Sequence, residues 1–213
     1  MKVNFDIGIS TDTCNELLLN FFKNEVGKRG YNFVEVQSQL KSIRSVSEWI
    51  TMPTQHFGLY LGGITGNGKT TLVAALRQLM NFLKVKDPIS DLSYSPYAGI
   101  LKVGAKELYD LFETERQKYS RCKDTFMLAI DDFGTEERDL FLFGNHYTPV
   151  EDLLCYRYER MLPTIITTNL PTEYVRQKYG DRLADRFSEM MEIVTMPDFN
   201  FRNKKLSYEQ SSE

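Results

Sequence analysis

Metal and redox chemistry have little to draw on in this sequence. Its two histidines, His56 and His146, lie far apart, so a histidine-based metal site is not expected. The three cysteines, Cys14, Cys122 and Cys155, are odd in number and widely spaced. They fit reduced thiols rather than a disulfide framework or a metal-binding spacing. A basic surplus is also missing. The formal net charge of -3 and a pI near 5.6 leave no global footprint for nucleic acid or an anionic membrane. No segment approaches the ~18 uninterrupted apolar residues of a bilayer span, and "MKVNFDIGIS" lacks the apolar run of a signal peptide. Internal repeats and low-complexity tracts are absent too. A soluble cytoplasmic protein with no membrane partner is expected.

What is present suits a packed α/β domain. Of 213 residues, 42% are apolar and 13% aromatic, enough for a real core. Short apolar runs alternate with amphipathic stretches, the pattern of a parallel sheet flanked by helices. Val36, Leu40, Ile43, Val46 and Ile50 step at helical spacing, and "FGLYL" then reads as a buried strand. Leu72, Val73, Leu76, Leu79, Met80 and Leu83 mark one face of a following helix. Further strands are expected at "GILKV", "TFMLAIDD", "PTIITTN" and "MEIVTM". Helices are expected from Ala105 to Tyr119, from Pro149 to Met161, and over "GDRLADRFSEM". Thr148 to Glu151 has capping-box spacing, and Asp181 reads as an N-cap. Between Asp132 and Thr148 the sequence reads as a polar loop, and "SYSPYA" as a turn-rich lead-in to "GILKV". "CNELLLNFFKNEV" fits a short helix, either packed on the core or free to bind a partner.

The most informative stretch is "YLGGITGNGKTTL". Gly63, Gly68, Lys69 and Thr70 satisfy G-x-x-x-x-G-K-[ST]. Glycines allow a tight turn whose N–H groups face phosphates, and Gly66 and Asn67 extend that anion nest. Lys69 brings an ammonium to the β/γ-phosphates, and the Thr70 hydroxyl is a natural Mg2+ ligand. The strand before the loop and the amphipathic helix after it are the context the motif needs.

A second acidic element is "LAIDDFGTEE". Asp131 ends an apolar strand, where a Walker-B carboxylate holds magnesium through water. Asp132 beside it can orient or deprotonate an attacking water, and an exposed acidic turn is the bland alternative. A crossover needs only about thirty residues to reach the next strand. A complete strand–helix unit fits between Lys69 and Asp131, so the Walker-B strand is not expected to be the next one in sequence. That inserted strand is typical of P-loop ATPases, and the guanine signature N-K-x-D is absent. ATP is therefore expected over GTP.

Two further pieces complete the set. Asn169 follows the apolar run "PTIITT", at a sheet's carboxyl edge where ligands bind. It either holds a water near the γ-phosphate or caps the turn into "LPTEY". In "GDRLADRF", Arg182 and Arg186 share a helical face. They form either an arginine finger for a neighbour's active site or salt bridges within their own helix. A finger in trans requires assembly.

With these pieces in order, the chain resembles the AAA+ ATPases of the DnaC/IstB group, helicase loaders and transposition helpers, from roughly Val36 to Lys205. The most specific stretches are "LLCYRYERMLPTIITTNLP", "GDRLADRFSEM" and "FRNKK", with "AIDDFGTE" close to the group's Walker-B form. The resemblance implies an α/β P-loop NTPase fold, a three-layer sandwich of AAA+ type around a central five-stranded parallel sheet. Its helical lid would be absent or minimal. It also implies that Gly63, Ile64, Thr65, Gly66, Asn67, Gly68, Lys69, Thr70 and Thr71 hold ATP. Thr70 and Asp131 would serve Mg2+, Asp131 and Asp132 would form the Walker-B pair, and Asn169 would be sensor 1. Arg182 or Arg186 would be the finger, Arg186 preferred because it precedes an aromatic residue, and Arg202 would occupy a sensor-2-like position. "MPTQHFG" is a candidate wall for the adenine pocket.

The implied organisation is a short N-terminal segment over 1–35, an ATPase core over 36–205 and a flexible tail over 206–213. The N-terminal segment is a possible partner-binding helix. The implied activity is ATP hydrolysis in DNA replication, loading a replicative ring helicase onto single-stranded DNA as a homo-oligomer when ATP is bound. "KRGYNF" and "RQKYSRCK" are candidates for the strand's basic and aromatic contacts. A transposition helper acting on duplex DNA with a transposase, a small-molecule kinase and a slowly hydrolysing binding module are the competing readings.

Overall fold

Strands buried on both faces cannot alternate apolar with polar residues, and they therefore read as unbroken apolar runs. "GLYLG", "TIITT" and the first part of "MLAIDDF" have that character. In the computed structural model, which describes residues 5, 7–88 and 97–202, these runs form the middle of one parallel sheet. The N-terminal half contains α1 (Thr11–Lys28), α2 (Gln37–Thr51), β1 (Gly58–Gly62), α3 (Lys69–Leu83) and β2 (Ile100–Gly104). Next come α4 (Ala105–Thr114), α5 (Arg116–Asp124), β3 (Met127–Phe133) and a hairpin of β4 (Leu140–Leu142) and β5 (Asn145–Tyr147). The chain continues through α6 (Pro149–Glu159), β6 (Thr164–Thr168), α7 (Glu173–Tyr179), α8 (Asp181–Met190) and β7 (Met191–Thr195). The expected tail over 206–213, Lys204 and Lys205 of "FRNKK", and most of "SYSPYA" lie outside the described residues.

The sheet runs β2-β3-β6-β1-β7, with every pairing parallel. As expected, the strand carrying Asp131, β3, is not the next after β1 in sequence, since β2 intervenes; in the sheet β6 lies between β1 and β3. Alternate side chains sort the core into two halves. Leu59, Leu61, Ala129, Ile165 and Val194 face α1, α2 and α3. Tyr60, Leu128, Ile130, Ile166 and Phe133 face α4 to α8. The result is the expected three-layer sandwich around five strands. All strands point the same way, so the loops leaving β1, β2, β3 and β6 gather at one edge.

Below that edge, Arg157 of α6 is wholly buried and has no carboxylate partner among the described residues. Its guanidinium donates to the carbonyls of Cys122, Lys123, Thr125, Phe126 and Pro163 and to the Thr164 hydroxyl. The entries to β3 and β6 are thereby tied together. Burial lowers its pKa to about 9.

Several local expectations need correction. The helix expected from Ala105 to Tyr119 breaks at Glu115, whose backbone (φ -134, ψ 61) is not helical. Gly180, not Asp181, is the N-cap of α8, and the Asp181 carboxylate pairs with Arg176 instead. Thr148 makes no side-chain cap bond to α6. The supposed polar loop before Thr148 contains the β4–β5 hairpin. Its two turn residues, Phe143 (φ 50) and Gly144 (φ 79), are both left-handed, as a two-residue hairpin of this twist demands. Leu140, Leu142 and Tyr147 pack on the core, while Phe143 at the tip is 100% exposed. Finally, α1 is eighteen residues long and lays Cys14, Leu18 and Phe22 into the α2–α3 side of the core.

Candidate active site

The loop between β1 and α3 turns through Gly63, Gly66 and Gly68, all at positive φ. Gly66 also packs closely on Asn200, since a Cβ there would lie 2.2 Å from Asn200 Oδ1 and that side chain would have to move. Gly68 (φ 96) is the N-cap of α3, so the N–H groups of the first turn of α3 open towards the loop. Lys69 is buried within this turn. Its ammonium donates to Gly63 O (2.8 Å), Ile64 O (2.7 Å), Asn67 Oδ1 (3.1 Å) and Asn169 Oδ1 (2.7 Å). Burial lowers its pKa to about 8, reinforced by nearby Arg202 and opposed by Asp132 and Asp131.

Asn169 comes from the end of β6, beside β1, and its Nδ2 donates to Thr65 Oγ1 at 3.1 Å. One side chain thus touches both the loop and its lysine. Thr70 Oγ1 donates to Asp131 Oδ1 at 2.9 Å, and the Thr167 hydroxyl donates to the same oxygen. Asp131 Oδ2 faces Lys102 Nζ at 2.7 Å. Burial tends to raise the Asp131 pKa, but Lys102 and the Thr167 and Thr70 hydroxyls outweigh it and hold the carboxyl below its usual range. Asp132 sits where the β3–β6 ladder is interrupted, at φ 56, with its N–H bonded to Thr167 Oγ1 at 3.1 Å. This kink turns consecutive aspartates to different places, Asp131 under Thr70 and Asp132 onto the cleft.

A cleft of about 610 Å³ opens over these groups. Of the sequence-derived candidates, Thr65, Gly66, Asn67, Gly68, Lys69, Thr70, Thr71, Asp132, Asn169 and Arg202 line it. Gly63 and Ile64 lie behind it and present carbonyls to Lys69. Asp131 lines a neighbouring cleft of about 510 Å³ with Lys102 and the start of α4. Arg182 and Arg186 line neither cleft. They sit on α8, on the opposite face of the sheet from α3. Arg186 is committed, with a side chain 19% exposed, an ion pair to Glu159 at 3.1 Å and its guanidinium over the Tyr158 ring. Arg182 is exposed and makes no ion pair among the described residues. The acidic residues Asp181 and Asp185 on the same helix both bind Arg176 instead.

The far wall of the large cleft was not legible in the sequence. It comes from the end of α1 and the stretch after it, with Phe22, Val26, Arg29, Tyr31 and Phe33 among its residues. "KRGYNF", a candidate DNA contact, therefore belongs to this wall. "MPTQHFG" does not line the cleft. It enters β1 at the opposite edge of the sheet, where the His56 carbonyl accepts from Trp49 Nε1 and Gly58 pairs with Met191. Lys102 was also missed, although a lysine interrupting the apolar run "GILKV" on this edge strand is a usable signal.

The residues present fit a polyphosphate and a hard divalent cation. Lys69, Arg29 and Arg202 surround the cleft, a glycine turn and a helix N-terminus face it, and Thr70 and Asp131 offer oxygen donors 2.9 Å apart. Among the described residues no group of three or more His, Cys, Asp or Glu side chains could hold a metal alone. A magnesium ion at Thr70 and Asp131 would thus keep several waters. No helix among the described residues is long and apolar enough to cross a membrane.

No family model matches the sequence, and neither does any curated protein. Solved structures match in fold. The crystal structure of the DnaC helicase loader aligns with a TM-score of 0.60 at 18% identity, covering 78% of this chain and 93% of that one. The crystal structure of DnaI aligns with a TM-score of 0.60 at 22% identity, covering 80% of this chain and 87% of that one. AMPPCP-bound DnaA from Aquifex aeolicus gives 0.55 at 16% identity, covering 80% of this chain and 50% of that one. The chain thus shares the fold of these structures, a three-layer α/β sandwich of the P-loop type around five parallel strands, as the sequence resemblance implied.

Proposed function

We propose that this chain binds and hydrolyses ATP with magnesium in DNA replication, and that it loads a ring helicase onto single-stranded DNA as an ATP-bound homo-oligomer. One observation carries the reading. The β2-β3-β6-β1-β7 order brings two hydrogen-bonded pairs side by side at the carboxyl edge of the sheet, Lys69 with Asn169 and Thr70 with Asp131. Helicase loaders among the similar folds, and a DnaA bound to a nucleotide analogue, support the replication setting.

In this reading the loop N–H groups cradle the phosphates. Lys69 exchanges its loop carbonyls for β/γ-phosphate oxygens. Thr70 and Asp131 hold the magnesium, which when bound neutralises charge developing on the phosphates. Asn169 steadies the attacking water beside the γ-phosphate, and Asp132 orients it and accepts its proton. Phe22, Tyr31 and Phe33 give the base an aromatic wall, and Arg202 adds a cation to the phosphate end of the cleft. Arg182, exposed and without an ion pair among the described residues, reaches the γ-phosphate of a neighbouring copy.

The Asp132→Asn variant separates binding from chemistry. It is expected to keep ATP affinity within a few-fold of the parent while turnover falls by roughly 10²–10⁴. Phosphate release and equilibrium binding of a fluorescent ATP analogue measure the two. Turnover unchanged by this substitution would remove Asp132 from the reaction.

The surface left for DNA is that of α5. Arg116, Lys118 and Arg121 are exposed along it, and Lys123 and Arg160 flank the Tyr156 ring at 4.1 and 3.7 Å. Fluorescence anisotropy with a labelled oligothymidine is expected to show ATP-dependent binding that weakens steeply with salt. Binding that prefers duplex DNA would favour the transposition helper. Phosphate transfer to a small acceptor without any DNA effect would favour a kinase.

A further inference from the structure

We infer that Lys102 is an internal counter-ion on the metal-binding carboxylate, and that it sets how much divalent cation the nucleotide site needs. The inference rests on the nucleotide reading above. Lys102 stands in β2 among Ile100, Leu101, Val103 and Gly104. In the parallel ladder it pairs with Ala129, one same-face step before Asp131, which pairs with Gly104. Its side chain reaches along the strand to place Nζ 2.7 Å from Asp131 Oδ2, the oxygen turned away from the phosphate loop. The other oxygen takes the Thr70 and Thr167 hydroxyls, so both oxygens of this carboxylate are already engaged.

The pair is half-hidden, with side-chain exposures of 35% for Lys102 and 13% for Asp131. In such a place water screens poorly, and an ammonium and a dication on one carboxylate repel strongly. Metal uptake at Asp131 therefore competes with Lys102, which must move aside. Space for it lies in the adjoining cleft of about 510 Å³, where Glu107 and Asp132 offer the ammonium another carboxylate. Without metal, Lys102 keeps Asp131 neutralised and aligned with Thr70. The lysine thus stabilises the metal-free site and raises the cation concentration at which the site fills.

The test is a magnesium titration of the full chain with a fluorescent ATP analogue, followed as binding rather than turnover. Lys102→Met keeps the apolar stem and removes the charge. It is expected to lower the half-saturating Mg2+ concentration about tenfold, with analogue affinity in EDTA no higher than the parent's, because the uncompensated Asp131 carboxylate then faces the phosphates. Lys102→Arg should stay near the parent, and Lys102→Gln should follow Lys102→Met, which guards against a packing defect in one variant. Coincident magnesium curves for parent, Met and Gln variants would overturn the inference. So would an equal loss of affinity with and without magnesium, which would make Lys102 a phosphate ligand. If the parent chain binds no analogue at any magnesium concentration, the nucleotide reading fails and the inference falls with it. If the parent binds and only the shift is missing, the counter-ion role alone fails.

Discussion

Lys69→Ala is expected to abolish useful ATP binding, with affinity falling at least about a hundredfold. Its ammonium is the shared donor to Gly63 O, Ile64 O, Asn67 Oδ1 and Asn169 Oδ1. Removing it takes away the charge that meets the phosphates and leaves four oxygen acceptors turned towards the same small space. Those oxygens then repel an incoming polyphosphate, so the loss exceeds that of one ion pair. Equilibrium binding of a fluorescent ATP analogue measures the effect. Lys69→Arg should rescue little, because a planar guanidinium cannot reproduce this arrangement of acceptors. Affinity within a few-fold of the parent in Lys69→Ala would mean that ATP binds elsewhere.

The second large effect is expected at Arg182. Its substitution by alanine should lower ATP turnover by roughly 10³ or more, the scale of an arginine finger, while leaving ATP affinity within a few-fold. The side chain is exposed, lies outside both clefts and has no ion pair among the described residues, so its loss disturbs little within its own subunit. Arg186→Ala is the contrasting variant. That residue is tied to Glu159 and lies over Tyr158, so its loss should show mainly as a lower melting temperature. Turnover collapsing in Arg186→Ala, with Arg182→Ala unaffected, would reverse the assignment.

The choice between these two arginines shows where sequence reading stops. Spacing put both on one face of a helix and ranked Arg186 first by the aromatic after it. Only packing reveals that α6 supplies Glu159 and Tyr158 to occupy it. The sheet was readable because strands buried on both faces must be apolar throughout, and because loop, acid and polar residue each close such a run. Lys69, Asp131 and Asn169 were found for that reason. The inserted strand followed from chain length alone.

Features that depend on contacts between distant segments were not readable. The wall made by Phe22, Tyr31 and Phe33 exists because α1 folds back along α3, and nothing local in those residues distinguishes a cleft from a core. The hairpin at Leu140–Tyr147 looked polar because acidic residues precede it, although its Phe-Gly turn and alternating leucines were present in the sequence. The break at Glu115 divides a region that is helix-forming on both sides, so propensity alone joins α4 to α5.

An ATP site shared between neighbouring copies is tested most directly by mixing two inactive variants. Lys69→Ala lacks the phosphate lysine but retains Arg182, whereas Arg182→Ala retains an intact loop. Combined in equal amounts with ATP and magnesium, they should form interfaces that pair an intact loop with an intact arginine. ATP turnover should then return to a substantial fraction of the parent rate, rising with total protein concentration. Turnover in the mixture that only sums the two residual rates, at every concentration, would contradict a site completed in trans.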